Sequence, residues 1–220
     1  MAVLVIGGHS RNVGKTSVVA GLISALPDLR WSAVKITQYG HGICSANGAP
    51  CDCATADHSV AVSEERDRAG ESDTSRFLTA GADHSWWVRT QQGCLAEAMP
   101  RVRAILSGAS NVIIESNSIL KFIKPDLYLS VLDPAVEDFK SSAQQFLDRA
   151  DAIILHHASR KNVESELGTR VTLDDGVSAW QRVSLRSVAN RPTFRIQPPP
   201  YVTPELVEFV RDRLAGVERQ

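Results

Sequence analysis

With 220 residues, a formal net charge of −1 and a sequence pI near 6.6, the chain is long enough for one large α/β domain and carries no basic excess marking it for nucleic acid or a membrane surface. Met1 to Ile6 lacks the features of a signal peptide and no apolar run approaches the roughly 18 residues of a membrane span, so a cytoplasmic location is expected. Four cysteines in a reducing compartment are expected as metal ligands or buried thiols, not as a disulfide framework.

Taken in chain order, short apolar runs alternate with helical patterns, which predicts an α/β fold with a mainly parallel sheet of about seven strands and helices on both faces. Val3 to Ile6 is the first buried strand. A polar turn follows, then a helix whose Val18, Val19, Leu22, Ile23 and Leu26 form one stripe, ended by Pro27. Ser32 to Thr37 and Ser85 to Thr90 are further strands, as are Asn111 to Glu115, Leu127 to Leu132, Ala152 to Leu155 and Thr193 to Ile196. Leu95 to Leu106 and Val136 to Arg149 are the expected crossover helices; Thr203 caps a last helix with Pro204 in its first turn. Gly40 to Ser72, rich in Gly, Ala, Cys, Asp and Glu, has little periodicity and is expected as a loop insertion, at about 40–72, in a single domain spanning 1–220.

Ligands of such sheets sit beyond the carboxyl ends of the strands, which draws attention to Gly7 to Thr16, Gln38 to Cys44, Glu115 to Ser118, Asp133 and His156 to Lys161. The first of these, Gly7-Gly8-His9-Ser10-Arg11-Asn12-Val13-Gly14-Lys15-Thr16-Ser17, lies between a strand and a helix, the context a phosphate loop requires. Backbone amides from Arg11, Asn12, Val13 and Gly14 onward would surround a phosphate, and Lys15 would add a full positive charge to the helix dipole. Thr16 would ligate Mg²⁺ and Ser17 the phosphate nearest the sugar. This is the P-loop NTPase pattern, with one departure: His9 stands where glycine is usual.

Together with Lys35 on its strand, the segment Asp73-Thr-Ser-Arg76-Phe-Leu-Thr-Ala-Gly81-Ala makes the first half of the chain resemble the MobB family, the adapter proteins of molybdopterin-guanine dinucleotide biosynthesis. More distantly, Lys35 and Glu115 are similar to the Lys-Pro strand end and Glu-Gly segment of dethiobiotin synthetase. Ile36 and Ser116-Asn117-Ser118 depart from that pattern. The resemblance implies an NTP-binding adapter beside a cofactor-processing enzyme, and it places Asp73 near the terminal phosphate, as a Mg²⁺ ligand through water or an orienter of the nucleophile.

Glu115 ends an apolar run, where a P-loop protein places the carboxylate that holds Mg²⁺. Lys15, Asp73 and Glu115 are therefore the expected catalytic residues, and Thr16, Glu115 and Asp73 the expected Mg²⁺ site. The alternatives are a solvent-facing acid for Glu115 and a helix start at Ser72-Asp73. Lys35 reads equally as a phosphate or carboxylate ligand and as a snorkelling lysine; Arg76 reaches phosphate or pairs with Asp73. His156 stands where the base would be read, and with no Asn-Lys-x-Asp signature both ATP and GTP remain open.

Cys44, Cys51 and Cys53, flanked by His41 and His58, could form a closed Zn²⁺ site of three thiolates and His41. The spacing leaves metal, zinc or an iron-sulfur cluster, and free thiols open; Cys94 is expected in the core. The leading expectation is a nucleoside-triphosphate-binding protein with slow Mg²⁺-dependent hydrolase activity. Its expected partners are the nucleotide and a cofactor-biosynthesis enzyme, with a homodimer left open and neither nucleic acid nor membrane. Two rivals remain: an ATP-dependent synthetase or kinase binding an acidic substrate at Lys35 and Ser116 to Ser118, and a nucleotide-regulated metal chaperone.

Overall fold

A computed structural model of the chain describes residues 1–40, 59–157 and 188–216. In it β1 (Val3–Gly8), β2 (Trp31–Tyr39), β3 (Val60–Glu65), β4 (His84–Gln91), β5 (Asn111–Glu115), β6 (Leu127–Leu132), β7 (Ala152–His156) and β8 (Thr193–Ile196) form one sheet in the order β3-β4-β2-β5-β1-β6-β7-β8. Every neighbouring pair is parallel except β3 with β4. This is the expected α/β fold with a mainly parallel sheet, of eight strands where about seven are expected. No helix among the described residues is long and apolar enough to cross a membrane.

The helices are α1 (Lys15–Ala25), α2 (Asp73–Thr79), α3 (Leu95–Ser107), α4 (Ser141–Phe146) and α5 (Pro204–Ala215). Val18, Val19, Leu22 and Ile23 of α1, Phe77 of α2 and Leu206, Val210 and Leu214 of α5 bury one face of the sheet. On the opposite face lie Leu95, Ala98, Met99 and Val102 of α3 with Ala143 and Phe146 of α4. The central strands β1, β5 and β6 are buried along their whole length, which is why they read as continuous apolar runs. Thr203 caps α5 by accepting a hydrogen bond from the Leu206 N–H, with Pro204 in the first turn as expected.

Two expectations need correcting. Residues 60–65, expected as part of a loop, are an edge strand: β3 pairs antiparallel with β4, while only Val60 and Val62 reach the core beneath α3. The crossover helix expected from Val136 begins only at Ser141, and Leu147–Arg149 continue it as a 3₁₀ turn. The reason lies in tertiary contacts. The Val136 carbonyl accepts from the His9 ring and the Lys140 N–H donates to the His9 carbonyl at 2.8 Å, so backbone groups that a helix would use are bonded to the loop after β1 instead.

Candidate functional site

The loop between β1 and α1 is shaped by backbone that few residues adopt. Asn12 and Gly14 have φ of 57° and 79°, in the left-handed region, and Gly14 is the residue from which α1 starts. A Cβ on Gly7 would lie 2.2 Å from Oδ1 of Asn117, so only glycine fits there. Asn117, on the connection after β5, clamps Gly8: its Oδ1 accepts from the Gly8 N–H at 2.9 Å and its Nδ2 donates to the Gly8 carbonyl at 2.8 Å. No side chain caps the start of α1, so its first N–H groups are available to an anion. Lys15 donates to the Ser10 carbonyl across the loop. Burial, opposed by Glu115 and assisted by Lys140 and Lys35, lowers its ammonium to about 8.

One flank of this loop is a cluster of charged side chains. Thr16 donates from Oγ1 to Oε2 of Glu115 at 2.9 Å, joining the start of α1 to the end of β5. Glu115 is 6 % exposed, which excludes the solvent-facing alternative. Lys35, from β2, donates to both Glu115 oxygens at 3.2 Å and to Asp73 at the start of α2. Burial pulls the Lys35 ammonium down, but Glu115 and Asp73 outweigh it and leave it above its usual value. Asp73 is thus both the first residue of α2, behind the Ser72 cap, and a member of the site. Arg76, one turn on, lies 3.7 Å from Asp73 and donates to Ser17 at 3.0 Å.

The other flank is built on β6 and β7. His9 is completely buried; its ring donates from Nε2 to the Val136 carbonyl at 3.2 Å, accepts the Asp133 N–H on Nδ1 at 3.4 Å and lies 5.2 Å from the Phe139 ring. Burial lowers its pKa, in keeping with a neutral ring in this tautomer. The departure from glycine at this position therefore packs against the segment after β6. His156 donates from Nε2 to the Val13 carbonyl at 3.0 Å. The Tyr201 ring lies so near Gly14 that a Cβ there would meet its Cε1 at 2.5 Å.

Among the expected residues, Thr16, Ser17, Lys35, Asp73, Arg76 and Glu115 are thus linked by hydrogen bonds or ion pairs beside the loop and Lys15 bonds the Ser10 carbonyl within it, while Arg11 and Asn12 are exposed on its outer edge. Lys140 and Tyr201 were not expected as parts of the loop's surroundings. Lys140, on the segment after β6, has an ammonium that burial and Arg11 push down while Asp138 and Glu115 act in the opposite sense; no local pattern in the sequence signals it. Asn117 falls within the Glu115 to Ser118 stretch singled out beyond β5, two residues after the strand's acid. Cys94, expected in the core, is half-buried at the start of α3, where burial and Glu97 raise its thiol. His41, Cys44, Cys51, Cys53 and His58 lie outside the described residues.

Would these residues suit a magnesium ion? Mg²⁺ takes hard oxygen donors, usually one or two carboxylates with waters and substrate phosphates completing the octahedron. The Thr16 hydroxyl and the Glu115 carboxylate adjoin each other beside the uncapped helix start, with Asp73 as a second acid held through Lys35, so the donor set fits.

No family model and no curated protein matches the chain. Among solved structures, LpxK from Aquifex aeolicus in complex with ATP is similar over 89 % of this chain and 53 % of its own, at 18 % identity and a TM-score of 0.44. The chain therefore spans about half of that protein. HypB from Helicobacter pylori in complex with nickel is similar over 98 % of this chain and 86 % of its own, at 13 % identity and a TM-score of 0.44.

Proposed function

We propose that the chain binds ATP or GTP with Mg²⁺ at the β1–α1 loop, hydrolyses the terminal phosphate slowly, and serves as an adapter beside an enzyme of molybdenum-cofactor biosynthesis. The observation that carries the nucleotide reading is the joining, at one loop, of an uncapped helix start, the Lys15 ammonium and the Thr16–Glu115 pair at 2.9 Å. The adapter role rests on the resemblance of Asp73 to Ala82 to the MobB family.

In this reading Lys15 exchanges the Ser10 carbonyl for a phosphate oxygen, and the first N–H groups of α1 hold the phosphates. Thr16 and Glu115 would hold Mg²⁺, which supplies charge neutralisation at the phosphates. Asp73 orients the attacking water. Hydrolysis is slow because Lys35 engages both carboxylates, so neither takes a proton from water until that pairing opens. The same pairing disfavours the synthetase reading, since Lys35 already has two carboxylate partners and a substrate acid would have to displace one.

The test is nucleotide binding and phosphate release with Mg²⁺-ATP and Mg²⁺-GTP, compared between the natural chain and Glu115→Gln. The expected result is slow release without any small-acid substrate, with Glu115→Gln weakening metal-dependent binding at least tenfold and metal-free binding far less. Binding of neither nucleotide overturns the reading. Unaltered metal dependence in Glu115→Gln, lost instead in Asp73→Asn, exchanges the roles of the two acids.

A further inference from the structure

Beyond Lys35 the sheet changes character. Ala33, Lys35, Thr37 and Tyr39 of β2 alternate onto one face, and in register beside them on β4 stand Ser85, Trp87, Arg89 and Gln91. Ala33 lies in the core with Phe77 of α2, and Lys35 meets the first residue of α2. Thr37, Tyr39, Trp87 and Arg89, nearer the carboxyl ends, belong to neither core cluster and remain half-buried. The opposite face of the same strands is ordinary core, with Ile36, Val88, Val60 and Val62 packed beneath α3.

The residues on this polar face are held in place. Trp87 donates from Nε1 to the Thr37 hydroxyl at 3.1 Å, and the Arg89 guanidinium lies 4.5 Å from the Trp87 ring centroid while one nitrogen donates to Ser63 at 3.0 Å. Stacking fixes the plane of the guanidinium and so reduces the entropy lost when it binds an anion. Its Nε is buried with no acceptor, a costly state for an N–H group, and no ion pair with a carboxylate compensates it among the described residues. The acid that β3 contributes to this face, Glu65, stands opposite Ser85 at the far end and accepts from Ser72 and Thr74. Tyr39 stands on β2 two residues beyond Thr37 on the same face, in register with Gln91, the position two beyond Arg89 on β4; burial raises its phenol, with Arg89 and Lys35 acting in the opposite sense.

We infer that Arg89, Tyr39 and Thr37 form an oxyanion subsite, taking the phosphate or carboxylate of a small molecule that lies on the sheet face next to Lys35 and the nucleotide's terminal phosphate. This deepens the nucleotide reading by giving the second ligand of that site a chemical class. The position follows the rule that ligands of parallel sheets gather beyond the carboxyl ends of the strands.

The experiment separates the two anion sites. Inorganic phosphate and, separately, acetate are titrated by calorimetry into full-length Lys15→Ala protein, in which the loop site is disabled, and into Lys15→Ala carrying Arg89→Gln or Arg89→Lys. We expect about one oxyanion bound by Lys15→Ala, at least a tenfold loss with Arg89→Gln and partial retention with Arg89→Lys, whose conservative charge also controls for folding. The stronger of the two probes identifies the source as phosphate or carboxylate. Equal affinity with and without Arg89→Gln, or no anion bound to Lys15→Ala, overturns the inference. Neither titration contains nucleotide, so failure of ATP and GTP to bind the natural chain would overturn the nucleotide reading alone.

Discussion

The two flanks of the β1–α1 loop are made of different material. On the β2–β5 side, Thr16, Lys35, Asp73 and Glu115 hold one another through charged hydrogen bonds that a triphosphate and a cation would redistribute. On the β6–β7 side, His9 and His156 are tied to backbone carbonyls, and Phe139 and Tyr201 pack against them or the loop. The first flank is built to exchange partners; the second is built to hold a shape. Carboxylate–ammonium bonding is thus concentrated on one side of the loop, while ring packing and bonds to backbone carbonyls predominate on the other.

The largest expected effect strikes the charged flank. Lys35→Met leaves the buried Glu115 carboxylate without its ammonium partner, and loss of one partner of a buried pair should destabilise the ligand-free protein by about 3 kcal/mol. Urea denaturation at neutral pH measures it, and adding Glu115→Gln should recover much of the loss, since the stranded charge is then gone. Additive losses in the double variant would mean that the two residues are not a unit.

A smaller effect is expected on the other flank. His9→Ala removes a buried ring and its hydrogen-bonded contacts, at a cost of about 2 kcal/mol in stability. Because that ring is engaged with the segment after β6, nucleotide affinity measured by calorimetry should stay within a few-fold. A hundredfold loss of affinity with unchanged stability would reverse the assignment of roles to the two flanks.

Much of the charged flank was legible in the sequence. Strand ends after apolar runs fix where Glu115 and Lys35 emerge, and the strand-to-helix turn fixes Lys15 and Thr16, so spacing alone brings them near one another. The histidine flank was less legible. The bonds of His9 run to residues more than 120 positions away, and they also stop Val136 to Lys140 from joining the helix that their composition favours. The β3 strand escaped notice because it is an edge, with a wetted face whose Ser63 and Glu65 give no apolar alternation. The Trp87–Arg89 pair was hidden for a related reason: a half-buried polar strand face reads as an ordinary strand until its neighbours are known.

Whether Lys15 and the helix start hold a nucleotide's phosphates can be read by calorimetric titration of Mg²⁺-ATP and Mg²⁺-GTP at pH 9 in two buffers of different ionisation enthalpy. With its ammonium depressed to about 8, free Lys15 is largely neutral at that pH, and an arriving phosphate raises its pKa, so binding must draw protons from the buffer. Uptake should approach one proton per nucleotide bound, and Lys15→Ala should lose both uptake and binding. Nucleotide bound by Lys15→Ala with unchanged affinity would contradict that role.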